Sequence, residues 1–467
     1  MSTEHDYDLI VIGGGPVGEN VADYAAKRGI RAAIVEEDLV GGECSYWACM
    51  PSKALLRSGS ALRAARRVAG SREAAAGSLD AAAVLARRTS FTSNWDDSGQ
   101  ADWVASAGID LIRGRGRLDG SGRVRVGDRV YTARAVALAT GSVPVLPDVD
   151  GLADADPWGT REATSADHVP PRLVVWGGGV AGSELALAFA SLGSRVTLLS
   201  RGPLLSKEEP FAGKLIADAL RAEGVDVRIG SSPTRVDRAG DGVVTVALDD
   251  GSELQADEIL VSTGRRPHTL DLGLDTVGVP EDFAVDDTLL VDGTDWLYAV
   301  GDINGHALLT HQGKYQARAA GEAIAARLNG SALDDAPWGA HVATADNAAV
   351  PRVVFTDPEL AAVGLTERQA RESGLDVRAV EYDLGRVAGS ALHADDYSGR
   401  AKLVIDNAKN IVVGATFVGQ DAAELLHAAT IAIVGEVPID RLWHAVPAYP
   451  TMSEIWLRLL EADGRPD

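Results

Sequence analysis

Two stretches of the chain share one pattern of apolar and polar positions. Residues 7–36 open with the apolar run YDLIVI, pass through a glycine-rich turn and a helix-period segment, and end in a second apolar run closed by Glu36. Residues 172–201 repeat the order as RLVVWGGGVAGSELALAFASLGSRVTLLSR. Short apolar runs bounded by glycine read as buried parallel strands, and the segment between them as a helix, so each stretch predicts a βαβ unit. An Ala-rich, proline-free stretch from Ser58 to Arg88 predicts helix. Residues 111–138 and 224–262 predict short strands and turns. After a loose segment, 329–350, the runs RVVFT, AKLVIDN and IVVGATFVG predict strands and Ala422–Val434 a helix. No nucleotide fingerprint occurs in that last region, which reads as a separate α/β domain serving as an oligomer interface.

Both turns carry the same glycine spacing. The first is Gly13-x-Gly15-x-x-Gly18, directly after a strand and before a helix. This arrangement gives a tight turn, lets backbone approach a pyrophosphate, and offers a helix start whose dipole favours phosphate. Glu36, at the end of the next strand, is placed to accept hydrogen bonds from a ribose hydroxyl pair. The second turn is Gly177-x-Gly179-x-x-Gly182, and the corresponding strand ends in Ser200 and Arg201, with Lys207 six residues on. A carboxylate there would repel a 2′-phosphate, whereas a hydroxyl followed by a guanidinium suits one, so NADPH is preferred over NADH. Two dinucleotide sites predict two dinucleotides, and a flavin with a nicotinamide is the pair between which hydride can pass.

Length and charge narrow the partners. A chain of 467 residues predicts about two to four domains. The net charge of −23, from 44 basic and 67 acidic residues, argues against a nucleic-acid partner. The sequence lacks a membrane-length apolar run and a basic stretch leading into an apolar block, so the expectation is a cytoplasmic protein with no membrane partner.

The chain has two cysteines, Cys44 and Cys49. They cannot complete a four-thiolate zinc site, no metal site is expected, and a structural disulfide is disfavoured in a reducing compartment. Count alone leaves redox chemistry and two inert buried thiols equally open. In a regular helix, positions five apart rise about 7.5 Å, more than the roughly 7 Å between Cα atoms that a disulfide tolerates. The segment GGECSYWACMPSK must therefore be distorted if the thiols are to bond, and Pro51, which has no N–H for the carbonyl of Trp47, supplies a reason. Thiols near a helix start are expected to have lowered pKa values.

With this segment the chain resembles the class I flavoprotein disulfide reductases, the group of dihydrolipoamide dehydrogenase, glutathione reductase and mercuric reductase. The motifs GGGPVG, GGECSYWACMPSK, ATGSVP, GGGVAGSE, STGRRP, YAVGD and VFTDPELAAVG follow the family's order along essentially the whole chain. The resemblance implies an α/β fold: two Rossmann-like dinucleotide-binding domains, for FAD and NAD(P), and a C-terminal α/β dimerisation domain. Its boundaries would be 1–150 and 271–340 for FAD, 151–270 for the nicotinamide and 341–467 for the interface. It implies that Cys49 lies against the flavin and becomes a charge-transfer thiolate on reduction, while Cys44 meets the substrate. Lys53 and Glu184 would pair beside the flavin, and Asp302 would bond its ribityl chain. Gly42, Gly116, Gly141 and Ser142 would line FAD, and Gly264 the nicotinamide. The resemblance also implies a homodimer in which each active site is completed by the partner.

One segment departs from the family. Disulfide-reducing members carry His-Pro-Thr followed by Glu; here PAYPTMSE puts Tyr449 at the histidine's position and keeps Glu454. A phenol with a pKa of about 10 is a poor base at neutral pH. His444, five residues upstream, is out of register to replace the imidazole. Mercuric reductases also carry tyrosine there, but they add a C-terminal cysteine pair, and this chain has no third cysteine. Tyr46 and Trp47, between the cysteines, either shape a flat acceptor site or simply pack. The expected function is electron transfer from NADPH through FAD and the cysteine pair to a small acceptor: a disulfide, a quinone or a metal species. A dithiol oxidase running in reverse and a low-turnover flavin redox sensor are the alternatives.

Overall fold

Strand Tyr7–Ile12 feeds two cores. Leu9 and Val11 pack with Val21, Ile34 and Ile324, while Ile10 and Ile12 pack with Val35, Val136 and Leu138. A strand apolar on both faces belongs inside a parallel sheet covered on both sides. Its seven-stranded sheet has a parallel part, Asp110–Arg113, Ala32–Glu36, Tyr7–Ile12, Arg129–Leu138, Leu297–Ala299, and Arg129–Leu138 also continues antiparallel into Arg123–Val126 and Gly116–Leu118. Helices Pro16–Ala26 and Thr310–Asn329 pack closely because Gly313 meets Val17 and Gly321 meets Tyr24. The structure, a computed structural model, describes residues 5–464. These fall into two compact units; this first one comprises the chain up to Pro51, Thr89–Val145 and Arg265–Asn347.

The second unit comprises Ser52–Arg88, Leu146–Gly264 and the chain from Ala348. It holds the second βαβ motif in a parallel sheet ordered Asp226–Ile229, Arg195–Ser200, Arg172–Trp176, Glu258–Val261. Its helix Val180–Ser191 is apolar almost all round, with Leu185 to Phe189 buried in succession, as a helix enclosed by packing must be. An antiparallel sheet of five strands follows, ordered Pro351–Val354, Glu359–Gly364, Ile411–Gly419, Arg400–Asp406, Val377–Asp383. Helices Leu426–Val434 and Ile455–Asp463 close its apolar face. Among the described residues no helix is long and apolar enough to cross a membrane.

Two expectations need correction. The stretch from Ser58 to Arg88 is not one helix: Cys49–Arg66, Ser71–Ala74 and Ala81–Phe91 are separate. Gly70, at φ +89°, stops continuation. The strands Glu359–Gly364 and Val377–Asp383 were not foreseen, although the first lies inside the five-stranded sheet. Between Ala422 and Leu425 the expected helix is a 3₁₀ turn that runs on into Leu426–Val434.

Candidate active site

Each glycine loop is closed by its own backbone. Gly13 N donates to Val35 O at 2.9 Å and Gly41 N to Gly14 O at 2.8 Å. A Cβ on Gly18 would strike the carbonyl of Gly13, and a Cβ on Gly42 would lie 2.8 Å from Gly15 Cα, so Gly13, Gly15, Gly18 and Gly42 form one bare backbone cradle. This fits a pyrophosphate, which needs backbone to come close. Glu36 holds the cradle: its carboxylate accepts from Gly14 N at 2.6 Å and Asp38 N at 2.7 Å. Burial raises its pKa, and those two hydrogen bonds pull against the shift.

The other residues implied for FAD gather on neighbouring segments of the first unit. Ser142 Oγ donates to Asp302 Oδ2 at 2.6 Å, and Arg265 Nε donates to Ser142 Oγ at 2.8 Å. Arg265 also reaches Glu43 Oε2 at 2.6 Å, tying the cysteine segment to this polar cluster. Burial raises the pKa of Asp302, opposed by Ser142 and Arg265. Gly141 accepts from His268 N at 3.0 Å, and Gly116 opens a strand against Ile12 and Val35.

The cysteine segment is distorted as its spacing requires. Helix Gly42–Tyr46 ends at Trp47, and a new helix starts at Cys49. The amides of Trp47 and Ala48 both donate to Glu43 O, at 2.8 and 2.7 Å. Pro51 sits in the first turn of the new helix, where a missing N–H costs nothing, so it marks the restart rather than a kink. The two thiols are neighbours, and Cys49 Sγ lies 3.3 Å from Thr310 Oγ1. The expected lowering of thiol pKa is reversed at Cys44: the hydrogen bond to Cys49 and burial push it up, against smaller opposing effects of Thr310 and Lys314. Two adjacent thiols resist a second negative charge, so the pair ionises one sulfur at a time. Tyr46 and Trp47 are buried and packed on each other, ring centroids 5.6 Å apart, so they pack and do not form an open acceptor surface.

Helix Cys49–Arg66 also carries Lys53. In the second unit Lys53 Nζ meets Glu184 Oε2 at 2.7 Å; Glu184 is 2% exposed, and its other oxygen accepts from Phe355 N at 2.9 Å. The ammonium stands 5.0 Å from the Phe355 ring centroid. The carboxylate is thus fully satisfied although buried.

The second glycine loop repeats the first. Gly177 N donates to Leu199 O, Leu205 N to Gly178 O, both at 2.9 Å, and a Cβ on Gly182 would strike the carbonyl of Gly177. Gly179 is the N-cap of helix Val180–Ser191. Ser200 is buried and donates its hydroxyl proton to Gly202 O at 2.7 Å. Arg201 and Lys207 are exposed and make no ion pair among the described residues. Gly264 ends this unit in open backbone at φ +151°.

In the C-terminal region Tyr449 is 75% exposed. Glu454 is buried; one oxygen lies 3.6 Å from Arg458, and the other has no hydrogen-bond partner. His444 is exposed. Sequence reasoning missed Glu43, Arg265, Thr310 and Phe355, whose contacts join residues far apart in the chain; for Arg265 the available signal was its place in STGRRP.

Comparison with known proteins agrees with this geometry. Residues 7–324 match the family described as pyridine nucleotide-disulphide oxidoreductase, and residues 350–459 match its dimerisation domain. The chain is 33% identical over 465 residues to a dihydrolipoyl dehydrogenase of Thermus scotoductus, covering 98% of this chain and 97% of that protein. It is 31% identical over 462 residues to a mercuric reductase of Staphylococcus aureus, covering 97% of this chain and 82% of the relative. Among solved structures it is similar to the HOCl-induced flavoprotein disulfide reductase RclA of Escherichia coli, at TM-score 0.82 and 26% identity, with 97% and 99% of the two chains covered. A Cu(II) complex of a mutant RclA matches at TM-score 0.83 and 25% identity, covering 98% of this chain and 99% of that one. With the bare glycine cradles, the paired thiols and these matches together, the chain belongs to the FAD-dependent pyridine nucleotide-disulphide oxidoreductases.

Proposed function

We propose that the protein takes electrons from NADPH and passes them through FAD and the Cys44/Cys49 pair to a small acceptor that needs no imidazole proton relay, a metal ion or a quinone ahead of a disulfide. Tyr449 carries this reading, exposed where the family's disulfide reducers hold histidine. Bound FAD supplies two-electron exchange between nicotinamide and thiols. Gly13, Gly15, Gly18, Gly42 and Glu36 would hold it, with Gly116, Gly141, Ser142 and Asp302 along its length; Gly177, Gly179, Gly182, Gly264, Arg201 and Lys207 would hold the nucleotide. Lys53 and Glu184 would keep a fixed charge pair where hydride arrives.

Closing the dithiol to a disulfide releases two electrons and two protons. A disulfide acceptor must be given both protons as its sulfurs depart, which is the task of a well-matched acid. One Hg(II) ion, reduced to Hg(0), or two Cu(II) ions, reduced to Cu(I), take the two electrons and leave both protons to water. The mercuric reductases and the Cu(II)-bound RclA among the similar proteins fit that chemistry. The match of residues 350–459 to the family's dimerisation domain supports a homodimer.

A screen of Cu(II), Hg(II), a quinone, glutathione disulfide and lipoamide, with NADPH as donor, tests the reading. Turnover with a metal ion or quinone should exceed that with disulfides by roughly a hundredfold, the lower range of general acid–base assistance. Cys44→Ser should abolish metal turnover and spare quinones, which can take electrons from the flavin directly. Preferred turnover of disulfides would refute the proposal.

A further inference from the structure

The segment between strand Arg195–Ser200 and helix Pro210–Ala222 is held at both ends. Near its start, Leu205 N donates to the carbonyl of Gly178 in the glycine loop at 2.9 Å, and Leu204 and Leu205 are buried in the core of the second unit. At its end stand two glutamates. Glu208 meets Arg352 with both oxygens, at 2.8 and 3.0 Å. Glu209 precedes Pro210 as N-cap of the next helix, yet makes no capping bond. Its carboxylate points to the C-terminal sheet region instead, accepting from Lys402 Nζ at 2.9 Å and from Glu367 N at 2.7 Å. Side-chain exposures of 7% for Lys402 and 4% for Glu209 make this a buried pair, and Glu367 Oε2 adds a contact to Lys402 at 2.7 Å. Burial disfavours the charge on Lys402, but the bonds from Glu367 and Glu209 outweigh it and raise its pKa. Buried ion pairs are a costly way to gain stability; their best-attested use is to fix register.

The fixed segment carries Arg201 and Lys207, which are exposed and unpaired among the described residues. We infer that Glu208, Glu209, Arg352 and Lys402 are positioning residues for NADPH: they strap segment 201–209 to the C-terminal sheet and so place two cations for the 2′-phosphate. This rests on the NADPH reading above and extends it, because it makes the dimerisation domain a determinant of coenzyme choice. A cation on an untethered loop pays ordering entropy each time it binds; a strapped loop has already met that cost.

The test is calorimetric titration of the flavin-loaded enzyme with adenosine 2′,5′-bisphosphate and with 5′-AMP, which lacks the 2′-phosphate. Wild type should prefer the bisphosphate by at least about tenfold, as expected for charge-assisted phosphate contacts. Arg352→Met should reduce that preference to about threefold or less, with 5′-AMP affinity unchanged. The double variant Glu209→Gln/Lys402→Met, which leaves no orphaned buried charge, should do the same. In turnover, KM for NADPH should rise while kcat holds. Folded variants that keep the full preference, or that lose both probes equally, overturn the strap. A wild type blind to the 2′-phosphate overturns the NADPH reading first and the strap with it.

Discussion

The two glycine loops are one piece of backbone engineering used twice. In each, the first glycine donates to the strand that follows the helix, at 2.9 Å in both, and the carbonyl of the residue after it accepts an amide from the segment beyond that strand. In each, the third glycine abuts the first. The difference lies in what the loops are tied to. The first is buttressed by a carboxylate, Glu36, and the segment closing it, through Gly41, leads directly into the cysteine helix. The second has Ser200 in that place, and the segment closing it, through Leu205, leads to Arg201, Lys207 and the glutamate strap. Backbone thus builds the same bare cradle twice, and the two differ in the side chains that stand beyond the second strand.

Breaking the cradles one at a time should separate them most sharply. Gly18→Ala drives a Cβ into the Gly13 carbonyl and Gly182→Ala into that of Gly177. Each overlap should cost about 3 kcal/mol, on the order of a hundredfold in nucleotide affinity. Gly18→Ala should purify with little flavin; Gly182→Ala should keep its flavin absorbance and lose NADPH-dependent reduction. Loss of flavin in both would end the assignment of different dinucleotides.

A smaller effect should come from the charge behind the second cradle. Arg201→Glu should weaken NADPH by about 1–3 kcal/mol and leave NADH little changed. Steady-state kcat/KM with both coenzymes checks it, and equal wild-type values for the two would remove the premise.

The smallest effect concerns the residue after each third glycine, Glu19 in one loop and Ser183 in the other. Burial pushes the pKa of Glu19 up to about 7, eased by Lys314 and reinforced by Glu36, and its Oε1 is buried without a partner. A carboxyl whose folded pKa is raised favours folding while protonated, so its contribution is complete below the unfolded pKa of 4.5 and is lost as pH rises through about 7. Glu19→Gln should therefore stabilise the protein by about 1–2 kcal/mol at pH 8 and by little at pH 5. Chemical unfolding at both pH values checks the sign; an equal gain at both would show that titration is not the cause.

Much of this comparison was readable in the chain because it rests on local order. Strand, glycine spacing, helix and terminal residue occupy about thirty consecutive positions, and apolar periodicity marks them directly. Helix geometry also called for a distortion between Cys44 and Cys49 if the two thiols are to bond, and the helix does break between Tyr46 and Cys49. The ion pair of Lys53 and Glu184 did not: its partners are 131 residues apart, and only the family's motifs join them. Arg265 and Thr310 were missed for the same reason. The strap is the extreme case, because Glu209 and Lys402 read as ordinary surface charges until the fold buries them together across 193 residues. Short strands such as Glu359–Gly364 escaped because an alanine-rich run lacks the β-branched signature.

The central claim is that electrons reach the cysteine pair normally but leave it without an imidazole. Stopped-flow measurement of the two half-reactions in wild type and Tyr449→His tests it most directly. Reduction by NADPH should be rapid in both, because hydride transfer needs no group at that position. Reoxidation by glutathione disulfide or lipoamide should be slower than reduction by roughly 10²–10⁴-fold in wild type. Tyr449→His, with Glu454 already present to orient the ring, should recover part of that deficit. Rapid wild-type reoxidation by a small disulfide, unchanged in Tyr449→His, would contradict the account and move the proton donor elsewhere, with His444 first to be replaced.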